Sequence, residues 1–173
     1  MGPEGASAKE IGDLLWYALG VRGFAERGRA NLPIFWTATP SAGGLGAVQI
    51  IAISDDDTLP RLYDPKAHRW LHINADRQQV LAQNSLDVEN VLGVSHGTTL
   101  RVICDMEKLS AAYLNSETLF LREAGYALAT VGLCAEWLGL AACPLGFIGN
   151  NFLPILGLPS PRFLAGGAIQ ITR

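Results

Sequence analysis

Cysteine is scarce in this chain of 173 residues: Cys104, Cys134 and Cys143 are odd in number, widely spaced and set in apolar surroundings. Neither a disulfide framework nor a zinc site is expected from them, and reduced thiols in a cytoplasmic setting are. Charge is also sparse, at 17% of residues with a formal net charge of -3 and both signs mixed along the chain. That balance gives no electrostatic reason for a nucleic-acid or anionic-membrane partner. A long apolar run is missing too, since the most apolar stretch, Ala124 to Ala135, holds Gly125 and Gly132 and is too short to cross a bilayer. The opening Met1-Gly-Pro-Glu-Gly-Ala-Ser7 lacks the basic-then-apolar order of a signal peptide, so export is not expected. No G-x-G-x-x-G fingerprint or G-x-x-x-x-G-K-[ST] loop occurs, which argues against Rossmann and P-loop nucleotide sites. His68, His72 and His96 show no ligand spacing with carboxylates and read as surface or turn residues, so no metal is expected.

Apolar residues are abundant instead, at 49% of the chain. That exceeds what one core of this size needs, so part of the surplus should be covered by another subunit or a ligand. The length suits a single domain over 1–173, or one subunit of an intertwined dimer.

Ser7 and Glu10 have capping-box spacing, and Ile11, Leu14, Leu15, Ala18 and Leu19 follow on one face, predicting a helix that stops near Gly20. Val21 to Pro40 is glycine-rich and reads as an irregular connection. Val48 to Ile53, mostly β-branched, predicts a strand buried on both faces. Leu59 to Tyr63 and Trp70 to Ile73 predict an antiparallel pair. Asp76 starts a helix through Val80, Leu81 and Leu86, Thr99 to Cys104 is a strand, and another helix begins near Met106. Ser116 to Leu138 is the longest periodic element, apolar around most of its circumference, and belongs at the centre of a domain or an interface. Leu140 to Cys143 is a short strand, Asn150 to Leu156 a short helix closed by Gly157, and Ala168 to Thr172 a last strand. The mixture, without βαβ alternation, is α+β.

Two segments are candidates for chemistry. Pro40-Ser41-Ala42-Gly43-Gly44 precedes a buried strand, and small residues there let a planar or phosphorylated ligand approach the main chain, with successive N–H groups available to anionic oxygens. A tight loop feeding a strand explains the same letters. Ala142-Cys143-Pro144-Leu145-Gly146-Phe147 ends the strand after the long helix and suits a wall for a flat ring, or an ordinary turn.

Taken in order, Leu14-Leu-Trp-Tyr-Ala-Leu-Gly20, Thr39-Pro-Ser-Ala-Gly-Gly-Leu45, Leu62-Tyr-Asp-Pro-Lys-Ala-His68, Leu121-Arg-Glu-Ala-Gly125 and Leu138-Gly-Leu-Ala-Ala-Cys-Pro-Leu-Gly146 resemble successive signatures of the nitroreductase family, in its SagB-type branch of thiazole/oxazole-forming dehydrogenases. The resemblance implies a nitroreductase-like mixed or antiparallel sheet flanked by helices, with a long central helix, in an intertwined homodimer that binds FMN between subunits. It places Pro40, Ser41, Ala42 and Gly43 against the flavin from one subunit, Pro144, Leu145 and Gly146 along the isoalloxazine ring from the other, and Arg173 at the phosphate. Tyr113 matches a catalytic tyrosine whose family partner is a lysine, and Ala112 stands at that lysine's place. The arginine-rich turn that holds the phosphate in family members has no obvious counterpart, with Arg22, Arg27 and Arg29 as substitutes or as solvated loop charges. Glu117 and Glu123 default to paired or solvated carboxylates, and Arg122-Glu123 is a candidate dimer bridge. The implied activity is oxidation of azolines to azoles in a ribosomally made peptide. The alternatives are a nitro or quinone reductase acting on a small molecule with NAD(P)H, and a degenerate scaffold subunit of a peptide-modifying complex.

Overall fold

The computed structural model of the chain describes residues 5–57 and 59–173, apart from the side chain of Arg29. The reading of the first four residues therefore lies outside it. Helix α1 spans Ala8–Leu19 and begins with the expected reciprocal cap: the Glu10 N–H donates to Ser7 Oγ at 3.3 Å, and the Ser7 N–H donates to Glu10 Oε2 at 2.8 Å. The two bonds satisfy donors that a helix start otherwise leaves open. Ile11, Leu14, Leu15, Ala18 and Leu19 form its buried face.

Strands β3 (Val48–Ser54), β4 (Arg61–Asp64), β5 (Arg69–His72), β6 (Thr98–Asp105), β7 (Ala141–Leu145) and β8 (Phe163–Thr172) make a six-stranded sheet in the order β5-β4-β3-β6-β8-β7, antiparallel at every pairing. Its two faces are both covered. Ile50 and Ala52 of β3 point into one core with α1 and with α4 (Ser116–Trp137), while Ile51 and Ile53 point into another with Val80 of α2 (Arg77–Leu92) and Phe152. This is the period-two alternation of a strand with apolar residues on both sides. Helix α4 lies so close to β8 that a Cβ at Gly166 would fall 2.6 Å from the Ala124 Cβ and 2.7 Å from the Phe120 ring. Only glycine permits that approach. The short helix α3 (Met106–Ser110) links β6 to α4.

A buried polar chain fastens α2 to the sheet. Arg101 of β6 donates through Nε to Asn84 Oδ1 at 3.0 Å and through Nη2 to Asp87 Oδ2 at 2.8 Å. Asn84 donates to Thr99 Oγ1 at 2.8 Å, and the Thr99 hydroxyl donates to Gln170 Oε1 at 2.6 Å.

Two expectations need correction. Val21 to Pro40 contains a small antiparallel hairpin, β1 (Gly23–Ala25) with β2 (Ile34–Trp36), rather than only irregular chain. Asn150 to Leu156 is two successive 3-10 turns, closed by the left-handed Gly157. Among the described residues no helix is long and apolar enough to cross a membrane.

Candidate functional site

The loop from Pro40 to Gly46 leaves the short hairpin and enters β3, and glycine makes its shape possible: Gly43, Gly44 and Gly46 have φ of +59°, +64° and +57°. Such values are strained for residues with a Cβ. The side chain of Leu45 anchors the loop in the core, fully buried, while Pro40 and Gly43 stay exposed. Most of its main-chain donors are already committed. The Gly44 N–H donates to Ser41 O at 3.2 Å, the Leu45 N–H to Ala42 O at 3.3 Å and the Gly46 N–H to Ser41 Oγ at 3.3 Å, and the Ala42 N–H donates to Glu123 Oε1. The loop is therefore a preformed shelf of small residues, with few donors left for the anion-binding role anticipated from its letters.

Beneath this shelf is a cavity of about 320 Å³. Pro40, Ser41 and Gly46 border it from the loop, Val48 and Ile50 from β3, Leu62 and Tyr63 from β4, and Phe35 from the hairpin. Two charged side chains reach it from the helices, Lys108 of α3 and Glu123 of α4. Lys108 Nζ donates to Gly46 O at 3.3 Å and lies 5.2 Å from the Phe35 ring centre, and burial holds its ammonium below the ordinary lysine value. Burial likewise pushes the Tyr63 hydroxyl up to about 12, and that hydroxyl is 2.9 Å from His68 Nδ1.

Glu123 is the residue that sequence reasoning placed wrongly. It is 1% exposed, neither solvated nor free to bridge to another chain; Arg122 beside it is the exposed member of the pair. Burial raises its carboxyl above the usual carboxylate range, opposed by the Ala42 N–H and the Ser41 hydroxyl, and its Oε2 is sealed from solvent without a hydrogen bond. Helical spacing gave the available signal: Phe120, Glu123, Ala124, Ala127 and Val131 share the inward stripe of α4.

The second expected segment lies elsewhere. Pro144 and Leu145 close β7 at the far edge of the sheet from β5, separated from β3 by β6 and β8. At ~4.8 Å per strand that is roughly 14 Å or more. Within one chain the two segments do not meet. Pro144 and Gly146 are exposed, and a Cβ at Gly146 would meet nothing within 4 Å, so a flat group has room there. The Leu145 side chain, however, packs into a small core with Val88 and Ala168, leaving its main chain as the outward-facing part.

Arg173 pairs with Glu10 at the start of α1. Arg22 donates to Trp16 O at 3.0 Å and stacks 4.4 Å from the Trp16 ring centre, which ties it to the end of α1, and the side chain of Arg29 is outside the described residues. Tyr113 sits in the turn between α3 and α4, half-buried against the main core with Ala112, its N–H donating to Leu109 O at 3.1 Å. Neither Tyr113 nor Ala112 borders the cavity. Cys104 is buried, Cys143 exposed, and none of the three thiols is in a disulfide. No group of three or more His, Cys, Asp and Glu among the described residues is placed to hold a metal ion.

Neither a protein-family model nor a curated protein sequence matches the chain. Solved structures do. A Ralstonia eutropha protein described as a nitroreductase superposes with a TM-score of 0.75 at 17% identity, over 99% of this chain and 75% of that one. The Escherichia coli microcin synthetase McbBCD, in complex with a truncated pro-MccB17, contains a chain that superposes at 0.74 with 15% identity over 98% of this chain and 64% of its own. A Desulfovibrio desulfuricans protein described as a nitroreductase in complex with FMN superposes at 0.59 with 22% identity, over 97% and 74%. The chain has the nitroreductase fold, in a form that spans about two thirds to three quarters of the length of these three structures.

Proposed function

We propose that the chain is an FMN-dependent oxidoreductase acting as a homodimer, with the flavin held between the small-residue shelf of one subunit and the Pro144–Gly146 edge of the other. The observation that carries this reading is the likeness of nearly the whole chain to nitroreductase structures, one of them an FMN complex. Two exposed small-residue surfaces on opposite parts of the sheet fit such a group: one chain cannot sandwich a ring between them, and two copies related by a twofold can. The dimer face is supplied by α4, whose outward Leu121, Tyr126, Leu133 and Trp137 are 50%, 50%, 74% and 69% exposed. Exposed apolar side chains of this size on one helix suit an interaction surface.

In this arrangement Pro40, Ser41, Ala42 and Gly43 hold one side of the ring by close contact, and Pro144, Gly146 and the main chain at Leu145 hold the other. Arg173, exchanging Glu10 for a phosphate, provides the charge-assisted fork suited to that group. FMN, when bound, would supply two-electron redox chemistry between the substrate and an acceptor such as O2. Tyr113 assists removal of the accompanying proton from substrate.

The preferred substrate is an azoline in a ribosomally made peptide, oxidised to the azole. The likeness to a chain of a synthetase complex with a truncated pro-microcin bound favours a peptide. A second reading, a non-catalytic scaffold subunit, draws on Ala112 and on the existing engagement of Arg173.

Anaerobic mixing of FMN-loaded protein with either NADH or a thiazoline peptide tests the proposal. Bleaching of the flavin by the peptide, with formation of the aromatic ring, is expected. Bleaching by NADH alone identifies a small-molecule reductase, and no bleaching by either reductant identifies the scaffold. Tyr113→Phe is expected to slow peptide oxidation by about 10²-fold or more, the usual scale for a proton-transfer group, while FMN stays bound. Unchanged turnover removes Tyr113 from the mechanism.

A further inference from the structure

We infer that Glu123 is the positioning residue of the flavin-facing shelf: its carboxyl, planted in α4, fixes the Ser41-Ala42 main chain from below and thereby sets the surface on which the ring lies. The inference rests on the flavin reading for its function and on the geometry for its physical basis. Glu123 Oε1 accepts the Ala42 N–H across 81 residues of sequence, joining the rigid central helix to a loop with three left-handed glycines. The remaining bonds of the loop are local, Gly44 to Ser41, Leu45 to Ala42 and Gly46 to Ser41, so they define its shape without fixing where it stands. Its other outside ties are the Leu45 side chain in the core, Ile34 and Phe35 of the hairpin packed against Gly44 and Gly46, and Lys108, which holds the Gly46 carbonyl at the other end.

A leucine of similar size would fill the same space without desolvating a carboxyl, and burying a polar group that keeps one unbonded oxygen is costly. The residue therefore lowers stability where it stands, and holding the loop is the gain that the geometry offers in return. Rigid support from behind is what a binding surface made of loop backbone requires, because displacements of an ångström weaken it.

The test compares wild type with Glu123→Leu and Glu123→Gln in the full-length protein, by hydrogen exchange over residues 41–46 and by FMN titration. Gln keeps an acceptor for the Ala42 N–H, and Leu removes it. Exchange at Ala42 is expected to rise about tenfold in the Leu variant, the scale of one lost hydrogen bond, and to return to the wild-type rate in the Gln variant. The FMN Kd is expected to rise about ten- to a hundredfold with Leu and to be restored with Gln, as for other supporting-shell residues. Should the Leu variant not fold, Glu123→Asp, which withdraws the carboxyl by one methylene, takes its place with the same expectations. Unchanged exchange, or a Gln variant as loose as Leu, overturns the positioning role. Loosened exchange with an unchanged FMN Kd overturns its link to the cofactor, and a wild type that binds no FMN fails the flavin reading while exchange still decides the positioning.

Discussion

Glu123 enters the folded chain with a carboxyl that burial pushes above its ordinary value, and this ties stability to pH. A raised folded-state value means that the native chain holds a proton the unfolded chain has lost. The group's cost to stability is thus smallest below the unfolded value and grows as pH rises through the folded one. Cys104 of β6 and Lys108 of α3 face the group, with Tyr63, Asp64 and Lys66 across the cavity; the thiol is pushed up to about 12 by burial and by Glu123, and stays neutral throughout. Glu123→Gln is expected to flatten the loss of stability from about pH 4.5 upward, measured as Tm against pH. A Gln variant with the wild-type slope contradicts this assignment of charge. Little of it was legible beforehand. Spacing three residues after the inward Phe120 puts Glu123 on the same face, but only the contact with a loop 81 residues away shows what a carboxyl does there. Pro40, Ser41 and Gly43 were legible as a special loop because left-handed backbone leaves a mark in glycine. The use of its N–H groups was not, since internal and ligand hydrogen bonds demand the same letters.

Among the elements, helix α2 shows how a weakly amphipathic segment is fixed by polar contacts. Its inward residues are Val80, Asn84 and Val88, and Asn84 and Asp87 together receive the 4% exposed Arg101. Asp87→Ala leaves that guanidinium buried without its counter-ion and is expected to cost about 3–5 kcal/mol in denaturant unfolding. A loss below about 1 kcal/mol, the range of a surface pair, contradicts a structural role for the network. The long elements followed from pattern: the capping box of α1, the β-branched run of β3 and the 3.6-residue period of α4 each specify one structure locally. The β1–β2 hairpin escaped because strands of three residues between glycines carry too few positions to show a period of two.

At the scale of the whole molecule, the apolar surplus seen in composition reappears as the outward face of α4, where Leu121, Tyr126, Leu133 and Trp137 stand with Arg122 and Glu136 as the charges nearby. In the homodimer proposed above, α4 of each subunit would cover these side chains. Leu133→Lys is expected to convert the dimer to monomer in light scattering and to lower FMN affinity with it, because the proposed site needs both subunits. A variant that remains dimeric moves the interface elsewhere. The separation of the two small-residue segments across four strands was not legible in the sequence, since order along the chain does not give strand order in the sheet.

Titration of the purified protein with FMN, followed by flavin fluorescence and by light scattering on the same sample, tests the central claim most directly. Saturable quenching at one FMN per chain, on a particle of two chains, is the predicted result. A protein that stays colourless, leaves the fluorescence of added FMN unchanged and scatters as a single chain contradicts it.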